Sequence, residues 1–149
     1  MADETTRTAT WLYTVLTGDS DLAELVATDD FSGVYDTLAP EGAPYPRVVF
    51  QWQAPAQTVT HNASRVMTRD LWLVRGIAGP TPVPRYTGDL TTIADLIDEA
   101  LHRASGGPAD DGLVLTAVRT QTFRMVEGPT DGHVYSHLGG IYRVFTQIP

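Results

Sequence analysis

Four histidines are the side chains of this sequence best suited to acid–base or metal chemistry, because it contains no cysteine. His133 and His137 fall on one predicted strand and on the same side of it. At about 3.3 Å per residue they would lie about 13 Å apart, too far to bind one metal ion together. We interpret both as solvent-facing strand residues. His61 falls in a polar segment, and His102 in the last turn of a predicted helix, where it favours the helix dipole.

Acidic side chains also occur in close pairs, which could bind a cation. The pairs are Asp19 and Asp21, Asp29 and Asp30, and Asp110 and Asp111. None continues into the further oxygen ligands and the glutamate of a calcium loop, so we interpret them as helix-capping and turn residues. The sequence also lacks a nucleophile elbow, a Walker loop and a dinucleotide-binding glycine motif. We therefore predict no catalytic residue, no metal site, no cofactor and no enzymatic activity.

The charge balance narrows the possible partners. All ten basic residues are arginine, and 18 acidic residues give a net charge of −8. A field of that sign repels phosphate backbones, so we do not expect specific nucleic-acid binding. No apolar stretch approaches the ~20 residues of a membrane span, and the acidic start of the chain does not resemble a signal peptide. We expect a protein made in the cytoplasm and not inserted in a membrane.

The length of 149 residues and the 42% apolar content predict one domain, residues 1–149. Apolar residues recur at the helical period in residues 6–17, in a second short helix that Asp19 or Ser20 can cap, and in residues 87–105. β-branched and aromatic runs predict strands at residues 31–38, 47–52, 66–78, 112–127 and 133–148. Gly139 and Gly140 suggest a bulge in the last strand.

These elements predict an α+β fold. We expect a mostly antiparallel sheet of about four main strands, one long helix on a face of it, and two short N-terminal helices. The strand around Trp72 is apolar on both faces, so we expect packing on each side, including a surface buried only on assembly.

Residues 54–65 are polar and follow neither secondary-structure period, which predicts a long loop or a protruding hairpin. A loop of about a dozen residues in a compact domain is either functional or disordered. Our candidate partner-binding residues are therefore Gln57, Thr58, His61 and Asn62 in this segment, with Trp72 in the strand that follows it.

The order of the segments resembles a known protein family. Two short helices lead to GVYD at residues 33–36, and APEGAPYP at residues 39–46 opens directly into the strand RVVF at residues 47–50. The helix near residues 93–101 and two long closing strands follow. This arrangement is similar to the tail-completion, or tail terminator, proteins of long-tailed bacteriophages and prophages, and the resemblance covers nearly the whole chain.

The resemblance implies a structural virion protein of the neck and tail. Such a protein forms a ring, commonly a hexamer, at the head-proximal end of the tail tube, ends tube polymerisation and joins the tail to the head. Its implied partners are further copies of itself, the tail tube protein and the head connector or stopper protein, while DNA passes through the lumen without specific binding. A head-closure or other neck protein is one alternative. A small-molecule-binding domain or an unrecognised enzyme is another.

Overall fold

The structure is a computed structural model that describes residues 4–61, 64–86, 88–102, 104, 108–109 and 112–147. Within these residues the chain forms three helices and six strands. The helices are α1 (Glu4–Thr17), α2 (Ser20–Val26) and α3 (Asp89–Leu101). The strands are β1 (Val34–Asp36), β2 (Arg47–His61), β3 (Ser64–Thr81), β4 (Pro108–Ala109), β5 (Gly112–Thr130) and β6 (His133–Gln147).

All six strands form one sheet in the order β1-β2-β3-β6-β5-β4. The edge strand β1 runs parallel to β2, and every other neighbouring pair is antiparallel. The predicted α+β class and the mostly antiparallel sheet are therefore confirmed. The predicted count of about four main strands describes the four long strands; the short edge strand β1 falls within the strand predicted at residues 31–38, whereas β4 at the other edge was not predicted.

The predicted lengths of the helices need correction. The first N-terminal helix, α1, has 14 residues and is slightly longer than α3, which has 13. The predicted long helix ends early because His102 leaves the helical conformation, and its Nδ1 accepts the backbone N–H of Arg119 on β5 at 3.1 Å. His102 therefore ties the helix end to the sheet. The cap predicted for α2 is confirmed, because the Asp19 carboxylate accepts the Leu22 N–H at 2.9 Å.

The hydrophobic core lies between the helices and one face of the sheet, which we call the helix face. Trp72, Val74 and Phe50 from the sheet belong to the same buried cluster as Ile93 and Ile97 of α3. Gly76 lets α3 approach closely, because a Cβ atom there would lie 2.7 Å from Cγ2 of Ile93. Further buried members come from α1 and α2: Trp11, Leu12, Leu16, Leu22 and Val26.

The expected bulge at Gly139 and Gly140 is wrong. Both residues pair in continuous register with β3 and with β5. Gly139 allows a close backbone contact instead, because a Cβ atom there would lie 2.1 Å from the carbonyl oxygen of Val74. This position in β6 therefore requires a residue without a side chain.

Candidate assembly surfaces

The polar segment at residues 54–65 is mostly strand, so the loop form of the prediction is wrong and the hairpin form is correct. β2 and β3 stay paired from Arg47–Ile77 to His61–Ser64, with three register irregularities. Pro55 and small polar residues weaken the strand pattern, but an outer strand tolerates a proline because its outward N–H groups need no partner in the sheet. Pairing with β3 therefore holds this segment as a strand, which its own sequence pattern does not predict.

The end of this hairpin extends beyond the sheet. β6 accompanies β3 only as far as the pair Met67–Gln147, so among the described residues 60–61 and 64–66 form a tip with no third strand beside it. Gln57 and Thr58 lie in β2 opposite Arg69 and Thr68, and His61 lies at the tip opposite Ser64. The structure describes only the backbone of these three candidates, and Asn62 lies outside the described residues, as do Asp110 and Asp111.

Trp72, the remaining candidate, is 1% exposed and belongs to the core. Its ring lies 6.0 Å from that of Phe50. On the opposite face of the same strand Leu73 is also buried. Both faces are thus covered within the monomer, and the strand leaves no apolar face of the kind we expected for assembly.

A groove of about 480 Å³ lies where α1 crosses the β1 side of the sheet. Its lining residues are Thr6, Ala9, Thr10, Tyr13, Asp36, Thr37, Phe50, Trp52 and Trp72. Trp72 and Phe50 contribute the buried part of this wall, whereas Tyr13 and Trp52 are 44% and 41% exposed. Trp72 can therefore affect a contact at this groove mainly by positioning Trp52. The sequence did not single out Tyr13 or Trp52 as surface residues, because an aromatic residue at either position is compatible with the apolar pattern of its helix or strand.

The opposite face of the sheet carries a hydrogen-bonded polar cluster. Nε of Arg75 donates to Nδ1 of His137 at 3.0 Å, and Nε2 of His137 lies 3.0 Å from the Glu127 carboxylate. Gln51 accepts a bond from the Arg75 guanidinium at 3.4 Å. His137 is 2% exposed, so its interpretation as a solvent-facing residue is wrong, whereas His133 is exposed as expected.

The cluster holds β3, β5 and β6 together but offers no reactive group. Both ring nitrogens of His137 are engaged and the ring is buried, so it is not placed to exchange protons with a bound substrate. Within the described part of the chain, no group of three or more His, Asp or Glu side chains could hold a metal ion. None of the described helices is long and apolar enough to cross a membrane.

The sheet ends in two different open edges. β1 covers β2 only from Val48 to Phe50, so the outer side of β2 from Gln51 onward has no partner strand among the described residues. On the other side, β4 covers β5 only at Gly112 and Leu113. Beyond it no strand pairs with the outer side of β5 among the described residues, but the N–H groups of Ala117 and Arg119 and the carbonyl oxygen of Met125 are bonded there by Ala104, His102 and Tyr86. Unpaired strand edges are templates for association with another chain.

Comparison with known proteins gives a fold relationship. No protein-family model matches the chain, and a search of curated proteins finds no match. Among solved structures, a chain from the virion of a native gene transfer agent particle is similar over 91% of both chains, with a TM-score of 0.62 and 15% sequence identity. The protein therefore shares its fold, over nearly its whole length, with a chain of that virion.

Proposed function

We propose that this protein is a structural component of a phage-like virion, and that within the particle it is the tail terminator. It forms a ring, a hexamer by analogy with the family that its sequence resembles, at the head-proximal end of the tail tube. The ring covers the last tube subunits, stops further polymerisation and presents its other face to the head connector or stopper protein.

One observation carries this proposal: the fold is shared with a virion chain over 91% of both chains. A fold alone does not determine a function. The sequence supplies the second line of support, because the order of helices, proline-rich segment and RVVF strand resembles tail-completion proteins.

The geometry suits a ring subunit. A ring closes by head-to-tail contact between two different surfaces of one subunit. The outer edges of β2 and β5 lie on opposite sides of the sheet and present different strands. The net charge of −8 also suits a channel through which DNA passes without binding, since basic walls would retain phosphate groups.

Deletion of the gene in the strain that encodes it tests the proposal. Loss of a tail terminator leaves DNA-filled heads without tails and tails of irregular, excessive length, both visible by electron microscopy. Expression of the wild-type protein from a plasmid should restore joined particles with tails of uniform length. Tails of normal length beside leaking heads would indicate a head-closure protein instead. Unaltered particles would contradict any role in the virion.

A further inference from the structure

The groove beside α1, which we call the α1 groove, lies between one stripe of the helix and one row of the sheet. The stripe has the spacing i, i+3, i+4 and i+7 of a single helical face. Its members are Thr6, Ala9, Thr10 and Tyr13. On the sheet, Trp52 pairs with Trp72 and Asp36 pairs with Phe50, so these four side chains share the helix face. Small helix residues and the aromatic rings of the sheet thus leave the α1 groove open between them.

The walls of the α1 groove combine aromatic rings with one carboxylate. Tyr13 and Trp52 present exposed rings, and the faces of such rings attract cations. Among the described lining residues Asp36 alone carries a charge. Its Oδ1 accepts the Thr37 hydroxyl at 2.9 Å, and a carboxylate can accept further hydrogen bonds. These walls therefore suit a positively charged group that also donates hydrogen bonds.

The charge around the α1 groove has the same sign. Residues 8–46, which contain most of α1 and all of α2 and β1, include seven acidic residues and no basic residue. The last turn of α1 has no basic residue either, so nothing within it offsets the partial negative charge of the helix C-terminus. Arg7, the basic residue of α1, is 4% exposed and is not among the lining residues. A cationic ligand is therefore attracted to this side of the molecule.

The open edge of β2 begins at the α1 groove. The Val48 N–H donates to the Gly33 carbonyl oxygen, and the Phe50 carbonyl oxygen accepts the Thr37 N–H, both at 2.8 Å. Trp52 is the next residue of this alternating row, so its N–H and C=O groups point to the same outer side. No strand pairs with them among the described residues, because the chain leaves β2 at Thr37, which has a φ of 63°. Trp52 thus offers its peptide groups to an added strand and its ring to the α1 groove.

We propose that the α1 groove binds an arginine side chain of another protein, presented on an extended segment that adds to β2 beside Trp52. A guanidinium is planar, so it stacks on an aromatic ring while it donates two parallel hydrogen bonds to a carboxylate such as that of Asp36. A lysine ammonium lacks this flat fork of donors. Strand addition supplies main-chain hydrogen bonds, and a pocket for one side chain supplies specificity.

The arginines of this chain are poorly placed to be the ligand. Four of them contact side chains of the same chain: Arg47, Arg75, Arg119 and Arg124. Arg85 is exposed, but its backbone N–H donates to Ser136 from a loop, so it is not presented on an extended strand. We therefore take the arginine to come from a different protein. This binding does not depend on the proposed role in the virion.

Two peptides that differ only in charge test the proposal. Each has five residues, alternating threonine and valine around a central residue that is arginine in one peptide and neutral, isosteric citrulline in the other. The arginine peptide should shift the indole and backbone N–H signals of Trp52 in the NMR spectrum of the protein, with a Kd of about 1 mM or below. The citrulline peptide should bind about fivefold or more weakly, since it lacks the charge that the rings and the carboxylate attract.

Variants of the protein locate the contact. Asp36→Asn should weaken binding of the arginine peptide about fivefold or more and leave binding of the citrulline peptide nearly unchanged. Asp30→Asn removes an exposed acid that does not line the α1 groove, so it is the matched control and should bind both peptides as wild type does. Trp52→Leu keeps an apolar side chain without the ring and should also weaken the arginine peptide. Thermal unfolding should show that all three variants are folded.

Three results would overturn the proposal. Equal binding of the two peptides to wild type would show that the α1 groove does not recognise the charge. Unchanged Trp52 signals up to about 10 mM arginine peptide would show that it takes no such segment. Self-association that shifts the Trp52 signals and competes with the arginine peptide would make a second copy the occupant. The gene deletion judges the virion role separately, since normal particles without the gene would refute that role and leave the peptide result intact.

Discussion

Arg75 on β3 donates a hydrogen bond from Nε to Nδ1 of His137 on β6, with 3.0 Å between the two nitrogens. A guanidinium nitrogen cannot accept a hydrogen bond, so Nδ1 must be unprotonated and the ring proton lies on Nε2. That proton is donated to the Glu127 carboxylate, whose oxygen is 3.0 Å away. The arrangement therefore requires a neutral His137. A proton on Nδ1 would place its N–H group against the N–H group of Arg75, and two donors cannot form a hydrogen bond.

We predict that stability falls in mild acid because of this ring. Burial lowers the pKa of His137 below its ordinary 6.5; the hydrogen bond to Glu127 opposes the shift, and the charges of Arg75 and Arg47 reinforce it. The unfolded chain then binds this proton more readily than the folded chain, so stability is complete above pH 6.5 and decreases as pH falls from there toward the lowered pKa. The loss is at most about 1.4 kcal/mol per pH unit.

Thermal unfolding between pH 7.5 and 5 measures this effect. His137→Gln keeps a donor and an acceptor but cannot titrate, so it should flatten the decline attributed to His137. His133→Gln, at an exposed histidine outside the Arg75–His137–Glu127 cluster, is the control and should leave the decline attributed to His137 in place. Identical profiles for wild type and His137→Gln would show that the ring does not control acid stability.

Glycine substitutions should separate rigid from adaptable contacts. A Cβ atom at Gly139 would meet the backbone of Val74 at 2.1 Å, whereas one at Gly76 would meet the side chain of Ile93 at 2.7 Å. A side chain can rotate away and a paired strand cannot. We expect Gly76→Ala to destabilise by about 1–3 kcal/mol and Gly139→Ala by more. Chemical denaturation checks the order, and a smaller loss for Gly139→Ala would mean that β6 can separate from β3 at little cost.

The hydroxyl of Tyr142 should contribute measurably to stability. It donates to the Asp98 carboxylate at 3.0 Å, and the same carboxylate lies 3.5 Å from the Arg119 guanidinium. Burial and the negative charge of Asp98 raise the pKa of Tyr142, so it remains a donor across the physiological range. We expect Tyr142→Phe to lose about 1–3 kcal/mol in denaturant unfolding. Tyr13→Phe, at an exposed position, should change little, and equal effects would indicate that the Tyr142 bond contributes nothing specific.

The tip of the β2–β3 hairpin should matter for assembly more than for folding. Thr60 pairs with Arg65 and His61 with Ser64, and among the described residues no register pair joins this tip to β6, so replacing residues 60–65 by an Asn-Gly turn leaves the β3–β6 pairing in place. We expect a melting temperature within a few degrees of wild type. Tail capping in a complementation assay should nevertheless be lost. Tails of wild-type length with the shortened protein would show that the tip is not a partner-binding element.

Local patterns predicted the elements whose signals lie within a single segment. The apolar stripe of α3, the Asp19 cap and the four long strands follow from residue periodicity and capping chemistry. The pairing of the strands could not be predicted in the same way from local patterns. The strand around Pro55 depends on its partner β3, and the continuity of Gly139 depends on the close approach of Val74, which no local pattern records.

The same dependence on contacts between distant segments explains why some site residues were not predicted from the sequence. The Arg75–His137–Glu127 cluster joins three strands. The two consecutive strands predicted at residues 112–127 and 133–148 indicate that Glu127 and His137 lie on neighbouring strands, but the position of Arg75 requires the order of the sheet. The groove beside α1 likewise gathers residues from distant segments. Conversely, Trp72 was a candidate for partner binding because its strand is apolar on both faces. Only the structure shows that both faces are already buried within the monomer.

Negative-stain electron microscopy of the purified protein, over a range of concentrations, tests the central claim most directly. Subunits that bind head-to-tail through two different surfaces should be monomers when dilute and closed rings when concentrated, with one number of subunits per ring. Rings of six would match the proposed tail terminator. A stable two-fold dimer at every concentration, with no ring, would contradict the account, because it would bury one surface against itself and leave none with which to close a ring.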